Sequence, residues 1–291
     1  SYLYLYLISY FNIKELWRIK TMSNVTPIKI DTTDGRLPLK EKGLVFQEFA
    51  NPAEERRNQL EKLAAGFRLF DYFGFNEGVA GHITVRDPID PESFWVNPFG
   101  IHFSEVQIAD LIRVTHDGKI VEGTNPVNAA AFAIHSRIHI AHPNINAACH
   151  AHSVYGKTWS AFGQCLDPIT QDSCAFYEHH DVFKQYSGLV LETSEGDEIA
   201  KLLSNKKALI LQNHGLLTVG SFVESAAWWF ITMERSCQAQ LMANSVNGKD
   251  TIKISNDAAR KAFDIIGNEE AGWFGFQPLL QKIIKKYPEL K

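Results

Sequence analysis

Three histidines are the residues of this sequence best suited to chemistry. The stretch Ile145-Asn146-Ala147-Ala148-Cys149-His150-Ala151-His152-Ser153 is a short apolar run that ends in His-Ala-His. Side chains alternate faces along a strand, so His150 and His152 point to the same side. Two imidazoles at the mouth of a buried strand are two of the ligands a metal site needs, although the pair also fits a strand end that only faces solvent. His214 is the third. It follows the apolar run Ala208–Leu211 in a tight Asn213-His214-Gly215 turn, where loops of α/β folds carry ligand residues. Three histidines with a fourth position left open match catalytic zinc, and imidazole also suits iron and manganese. Cys149 faces the other side of the same strand and reads as a small core residue.

The elements that must position these residues can be followed along the chain. Asn51-Pro52-Ala53-Glu54-Glu55 starts a helix, with Pro at its first position and acids in its first turn. Leu60, Leu63, Ala64, Phe67 and Phe70 then recur at helical spacing. A glycine-rich turn over 73–78 leads into Ala80-Gly81-His82-Ile83-Thr84-Val85-Arg86, which alternates like a half-buried strand. Phe94-Trp95-Val96-Asn97 is the next strand, and Asp117-Gly118 reads as a hairpin turn between Ile112–Thr115 and Ile120–Glu122. A helix is predicted over 127–141, bounded by Pro126 and Pro143. Another is predicted from Ser153 to about Phe162, then a short strand over 188–191 and a helix capped at Ser194 that reaches Leu203. After the strand Ala208–Leu211 come a long helix over 223–243 and a helical tail. Strands and helices interleave, so the class is α/β, in one domain over 43–291. Residues 1–42 read as an N-terminal extension: Met22 looks like a natural start, and 22–42 is a polar arm with Pro27, Gly35 and Pro38.

Composition narrows the function classes. The chain has 291 residues, 45% hydrophobic and 21% charged, with a net charge of −4. Nucleic-acid binding favours a basic face, so no nucleic-acid partner is expected. The apolar run over 2–8 is too short to span a bilayer, and no membrane partner is expected. Cys149, Cys165, Cys174 and Cys237 show no CxxC spacing, which points to a reducing, cytoplasmic setting.

With these residues in place, the sequence resembles the class II aldolase/adducin family. The matching pieces are 80–86, Asn97-Pro98-Phe99-Gly100-Ile101, 130–146 running into Cys149-His150-Ala151-His152-Ser153, and Leu211-Gln212-Asn213-His214-Gly215-Leu216-Leu217. The resemblance implies a three-layer α/β/α domain with a central, mainly antiparallel sheet. It implies a divalent metal, usually zinc, held by His150, His152 and His214. It also implies a small-molecule substrate and a homotetramer with active sites between subunits. In the sugar-phosphate aldolases of the family the metal grips a carbonyl and a neighbouring hydroxyl, a form of Lewis-acid catalysis.

Two departures bear on the reaction. The aldolases carry a catalytic glutamate where this sequence has Ala131, and general acid–base work supplies about 10²–10⁴-fold. Asp172, Tyr177, Glu178, His179 and His180, in what reads as a loop, are possible replacements or ordinary surface residues. The phosphate-binding Asn and two serines of the family correspond to His82, Ala129 and Ala130. Losing two hydroxyl donors disfavours a phosphorylated substrate, and His82 either contributes to the site or makes a structural hydrogen bond. Two functions follow as expectations. One is a metal-dependent lyase working by aldol-type cleavage, decarboxylation or epimerisation on a small, unphosphorylated hydroxy-carbonyl or keto acid, with oxygenation more distant. The other is a catalytically silent adducin-head-like module in assembly or actin interaction. Trp228, Trp229 and Phe230 read as core or subunit contact, and Trp273, Phe274 and Phe276 as a cover for a neighbouring site.

Overall fold

The computed structural model describes residues 49–188 and 192–290. The expected extension at 1–42 lies outside them, as do the next six residues and most of the strand expected over 188–191. In chain order the described elements are α1 (Pro52–Tyr72), β1 (His82–Arg86), β2 (Ser93–Val96), β3 (Ile112–Thr115), β4 (Ile120–Glu122), α2 (Ala129–Ala141), β5 (Ala147–Ala151) and α3 (Val154–Ser160). They continue with β6 (His180–Phe183), α4 (Thr193–Leu203), β7 (Ala208–Leu211), β8 (Gly215–Gly220), α5 (Val223–Asn244), α6 (Asn256–Ile266) and α7 (Glu269–Lys286).

All eight strands join one sheet in the order β4-β3-β2-β1-β5-β8-β7-β6. Every pairing is antiparallel except β6 with β7, so the expected mainly antiparallel sheet is what forms. Helices cover both faces. On one, Ala148, Leu209, Leu217 and Val219 pack under α2 and α4, and Phe94, Val96, Ile112 and Val114 pack under Ala131. On the other, Ile83, Val85, Cys149 and Ile210 meet α1, α5 and α7 through Phe67, Phe70, Trp229, Phe230, Phe276 and Ile283. Each buried Val, Leu, Ile or Phe among these contributes about 1.5–3 kcal/mol relative to exposure. Cys149 is the core residue it was expected to be.

Local chemistry fixes the ends of the elements. The Asn51 side chain accepts from Ala53 N and Glu54 N at 3.1 and 3.0 Å, so α1 begins at Pro52. Asn128 caps α2 in the same way, and the helix therefore starts at Ala129 rather than at 127. Two strands escaped the sequence pattern. β6 was expected as loop because His180-Asp181-Val182-Phe183 is half polar, yet it pairs in parallel with β7 at the sheet edge. β8 has glycine at both ends, which read as turn, but it is buried throughout between β5 and β7.

The helical tail resolves into α6 and α7. Trp229 and Phe230 are fully buried and Trp228 packs against the core. Phe276 is also core, whereas Phe274 is exposed. The close approach of α7 to α5 depends on two glycines. A Cβ on Gly272 would lie 2.5 Å from Trp229 Cζ2, and one on Gly275 would lie 2.5 Å from Trp228 Cε2. The Trp229 ring has no room to swing. Gly272→Ala is therefore expected to destabilise the protein by about 1–3 kcal/mol through overpacking. Denaturant unfolding would check this, and an unchanged midpoint would refute it.

Candidate metal centre

The three predicted histidines come together at one end of the sheet. His150 sits on β5 and is 1% exposed. His152 lies one residue beyond the strand, and His214 lies in the turn between β7 and β8. Asn213 takes a left-handed backbone (φ 59°), a conformation that Asn tolerates better than most side chains, and this turns the chain sharply enough to point His214 back. Ring centroids are 5.1 Å apart for His150–His152, 4.6 Å for His150–His214 and 4.9 Å for His152–His214. One nitrogen from each ring can be chosen so that all three lie within 4.8 Å of one another.

The electrostatics suit a cation. Burial, then the neighbouring histidines, hold His150 well below its ordinary range. Burial and then His152 push His214 down to about 4. His152 is lowered by burial and then by Lys157. All three are therefore neutral at pH 7 and carry free lone pairs. The Leu216 carbonyl accepts from His150 Nδ1 at 2.8 Å, which places the proton on Nδ1 and leaves Nε2 bare. Such a donor set fits a divalent metal.

A buried carboxylate supports His152 from behind. Glu234 on α5 accepts from Ser153 Oγ at 2.5 Å, Tyr155 N at 2.9 Å and Gly156 N at 2.6 Å. It thus caps α3 and fixes the turn that carries His152. A Cβ on Gly156 would stand 2.9 Å from Glu234 Oε2, so glycine there lets the carboxylate approach. The spacing of Glu234 in an otherwise core-like helix was the only trace of this role in the sequence. Lys157 pairs with Glu77 at 2.8 Å, and both act electrostatically on His152.

The remaining expectations divide. Ala131 is fully buried among Phe94, Val96, Ile112 and Val114, so no proton-carrying group stands at that position. Two of the possible replacements, His179 and His180, lie away from the triad. His180 pairs with Ala208 at the start of β7, whereas His214 follows its end. His179 lines a separate cavity of about 660 Å³ with His142, Lys207, Phe263 and Glu269, and none of the three histidines lines it. His82 does border the triad, 5.1 Å from His150 ring to ring. Both of its ring nitrogens are buried without a hydrogen-bond partner, and the Gly81 backbone lies close enough to act on the ring. Sequence reading passed over His135 and His139, whose i, i+4 spacing in an apolar helix was the available signal.

Two measurements follow. Glu234→Ala strips three donors, two of them in buried bonds, of their acceptor and is expected to cost about 2–4 kcal/mol. Metal affinity should fall with it, and unchanged thermal unfolding and affinity would refute the capping role. The metal-free protein should also be acid-sensitive. His214 and His139 stay neutral in the fold down to about 4 and about 3, while the unfolded chain takes up protons below about 6.5. Between those limits the unfolded state binds more protons, so stability must fall as pH drops from about 6.5 toward 4. A melting temperature that does not change across that window would contradict this.

Known proteins resemble this chain in sequence and in fold. The sequence model described as Class II Aldolase and Adducin N-terminal domain matches residues 61–241. A 4-hydroxy-3-prenylphenylpyruvate oxygenase/4-hydroxy-3-prenylbenzoate synthase of Streptomyces roseochromogenus subsp. oscitans is 42% identical over 244 residues, 83% of this chain and 87% of that one. Decarboxylase NovR of Streptomyces niveus is 42% identical over 83% of this chain and 90% of its own. The structure of an L-fuculose 1-phosphate aldolase from Glaciozyma antarctica superimposes with a TM-score of 0.78 at 43% identity, covering 84% of this chain and 96% of that one. With a shared fold, a shared sequence pattern and the histidine cluster in place, the chain belongs to the class II aldolase/adducin family.

Proposed function

We propose that this protein is a metal-dependent lyase acting on a small, unphosphorylated keto acid or hydroxy-carbonyl compound. His150, His152 and His214 hold the metal, with zinc the first candidate and iron or manganese the alternatives. The observation that carries this reading is the convergence of three neutral imidazoles within 4.8 Å, one of them fixed in tautomer by the Leu216 carbonyl. When bound, a divalent cation polarises the substrate carbonyl and stabilises the negative charge that develops as the carbon–carbon bond breaks.

The chain's own residues narrow the chemistry. Glu234 keeps the His152 turn in place. Lys157, next to His152, offers a cation to an arriving carboxylate, and Glu77 steadies it. Ala129 and Ala130 provide no hydroxyl for a phosphate, and Ala131 provides no base. Loss of CO2 from a β-keto acid needs an electron sink but no base at carbon, so decarboxylation suits this site. The relatives named as a decarboxylase and as a phenylpyruvate oxygenase support a keto acid, and the second name keeps metal-dependent oxygenation as the alternative reaction. Family membership and the decarboxylase relative make the chain a lyase-type enzyme rather than a silent assembly module. No helix among the described residues is long and apolar enough to cross a membrane. The expected assembly is a homotetramer of the 43–291 domain, in the cytoplasm.

Metal analysis of protein purified without added metal tests the reading, beside a His150→Ala/His152→Ala control. Stoichiometric zinc, iron or manganese that the control lacks is expected, together with CO2 release or cleavage when keto acids are screened. Metal-free wild-type protein that takes up none of the three ions would overturn it.

A further inference from the structure

A polar seam crosses the α2-facing side of the sheet, between its two apolar clusters. It consists of His82 and Thr84 on β1, His135 and His139 on α2, and His150 on β5, none more than 3% exposed. The bonds along it have a direction that can be worked out from one end. The Ile145 carbonyl can only accept, so His139 Nδ1, 3.3 Å away, donates to it. Burial and then Arg86 push His139 down to about 3, so the ring is neutral and its Nε2 can only accept. The Thr84 hydroxyl donates to that nitrogen at 2.9 Å. With its one hydrogen committed, Thr84 Oγ1 must accept from His135 Nδ1 at 2.7 Å. Burial keeps His135 neutral as well, which leaves a bare lone pair on its Nε2, buried and without a partner. The next ring is His82, edge-on at 4.4 Å between centroids, and its two nitrogens are also buried without a partner. Buried polar groups are rarely left unpaired, so three orphan nitrogens between adjacent rings need a function.

We propose that His139, Thr84, His135 and His82 form a directional hydrogen-bond chain, anchored at the Ile145 carbonyl, that presents His82 to the metal centre as a hydrogen-bond acceptor. The two rings stand 4.4 Å apart with this bond unmade, and a rotation of the His82 ring brings its one N–H onto His135 Nε2 and turns the lone pair of its other nitrogen toward the triad. There it accepts from an O–H held at the metal, either a hydroxyl of the bound compound or a water. His82 sets specificity, while Thr84, His135 and His139 are positioning residues that act through it. The chain supplies an oriented acceptor where Ala131 supplies none. This inference rests on the metal-centre reading above, but its first test does not.

Nitrogen-15 NMR of histidine-labelled protein, metal-free and zinc-loaded, reads which ring nitrogen carries each proton. His139 and His135 are expected in the Nδ1–H form, and Thr84→Val is expected to move His135 out of that single form. His135 with its proton on Nε2, or a Thr84→Val spectrum identical to wild type, would overturn the chain even if no metal binds. The second test compares lactate with pyruvate by calorimetry on zinc-loaded protein. One neutral hydrogen bond corresponds to about threefold to tenfold tighter binding of lactate, lost in both Thr84→Val and His82→Phe. Equal weakening of both ligands in the variants would support the acceptor and assign the donor to a water. Wild-type affinities for both ligands in both variants would overturn the proposal.

Discussion

The way β5 pairs with β8 is the constraint on which the site depends. The ladder sets His150 opposite Leu217 and Ala151 opposite Leu216. In that register the Leu216 carbonyl meets the His150 ring, and the turn entering β8 brings His214 beside the end of β5. A strand has only two choices of face. A slip of one residue would turn His150 into the apolar core and present Cys149 or Ala151 in its place. β8 resists such a slip because all six of its residues are buried between two partners.

Much of this was legible in the sequence, for reasons that differ by element. The triad was readable because His-Ala-His ends an apolar run and Asn-His-Gly makes a turn, both short-range signals. The α/β class followed from interleaved strand and helix periodicities, and the helices on both faces from the family resemblance. β6 and β8 were missed because neither alternates cleanly: one is a half-polar edge strand and the other is flanked by glycines. Their placement is decided by neighbours distant in sequence. Glu234 and the pair His135 and His139 were hidden for the same reason, since each looks like an ordinary helical residue until the sheet places a partner opposite.

The polar seam shows how this fold accommodates uncharged imidazoles. A strip of histidine and threonine between two apolar clusters would be costly if its bonds were unmade. Here Thr84 bonds to both His135 and His139, so the strip is satisfied as far as His135 Nδ1, and the unpaired nitrogens are His135 Nε2 and the two of His82, at the border of the metal centre. The unmet bonding capacity is concentrated where a ligand could meet it.

One helix links α7 to the metal centre. α5 carries Glu234, which grips the His152 turn, and six and five residues earlier Trp228 and Trp229, which fit against Gly275 and Gly272 of α7. A helix this well packed transmits displacement along its axis instead of absorbing it. The packing of α7 against α5 and the seating of the His152 turn therefore share one helix, less than two turns apart, so repacking the one bears on the ligand geometry of the other.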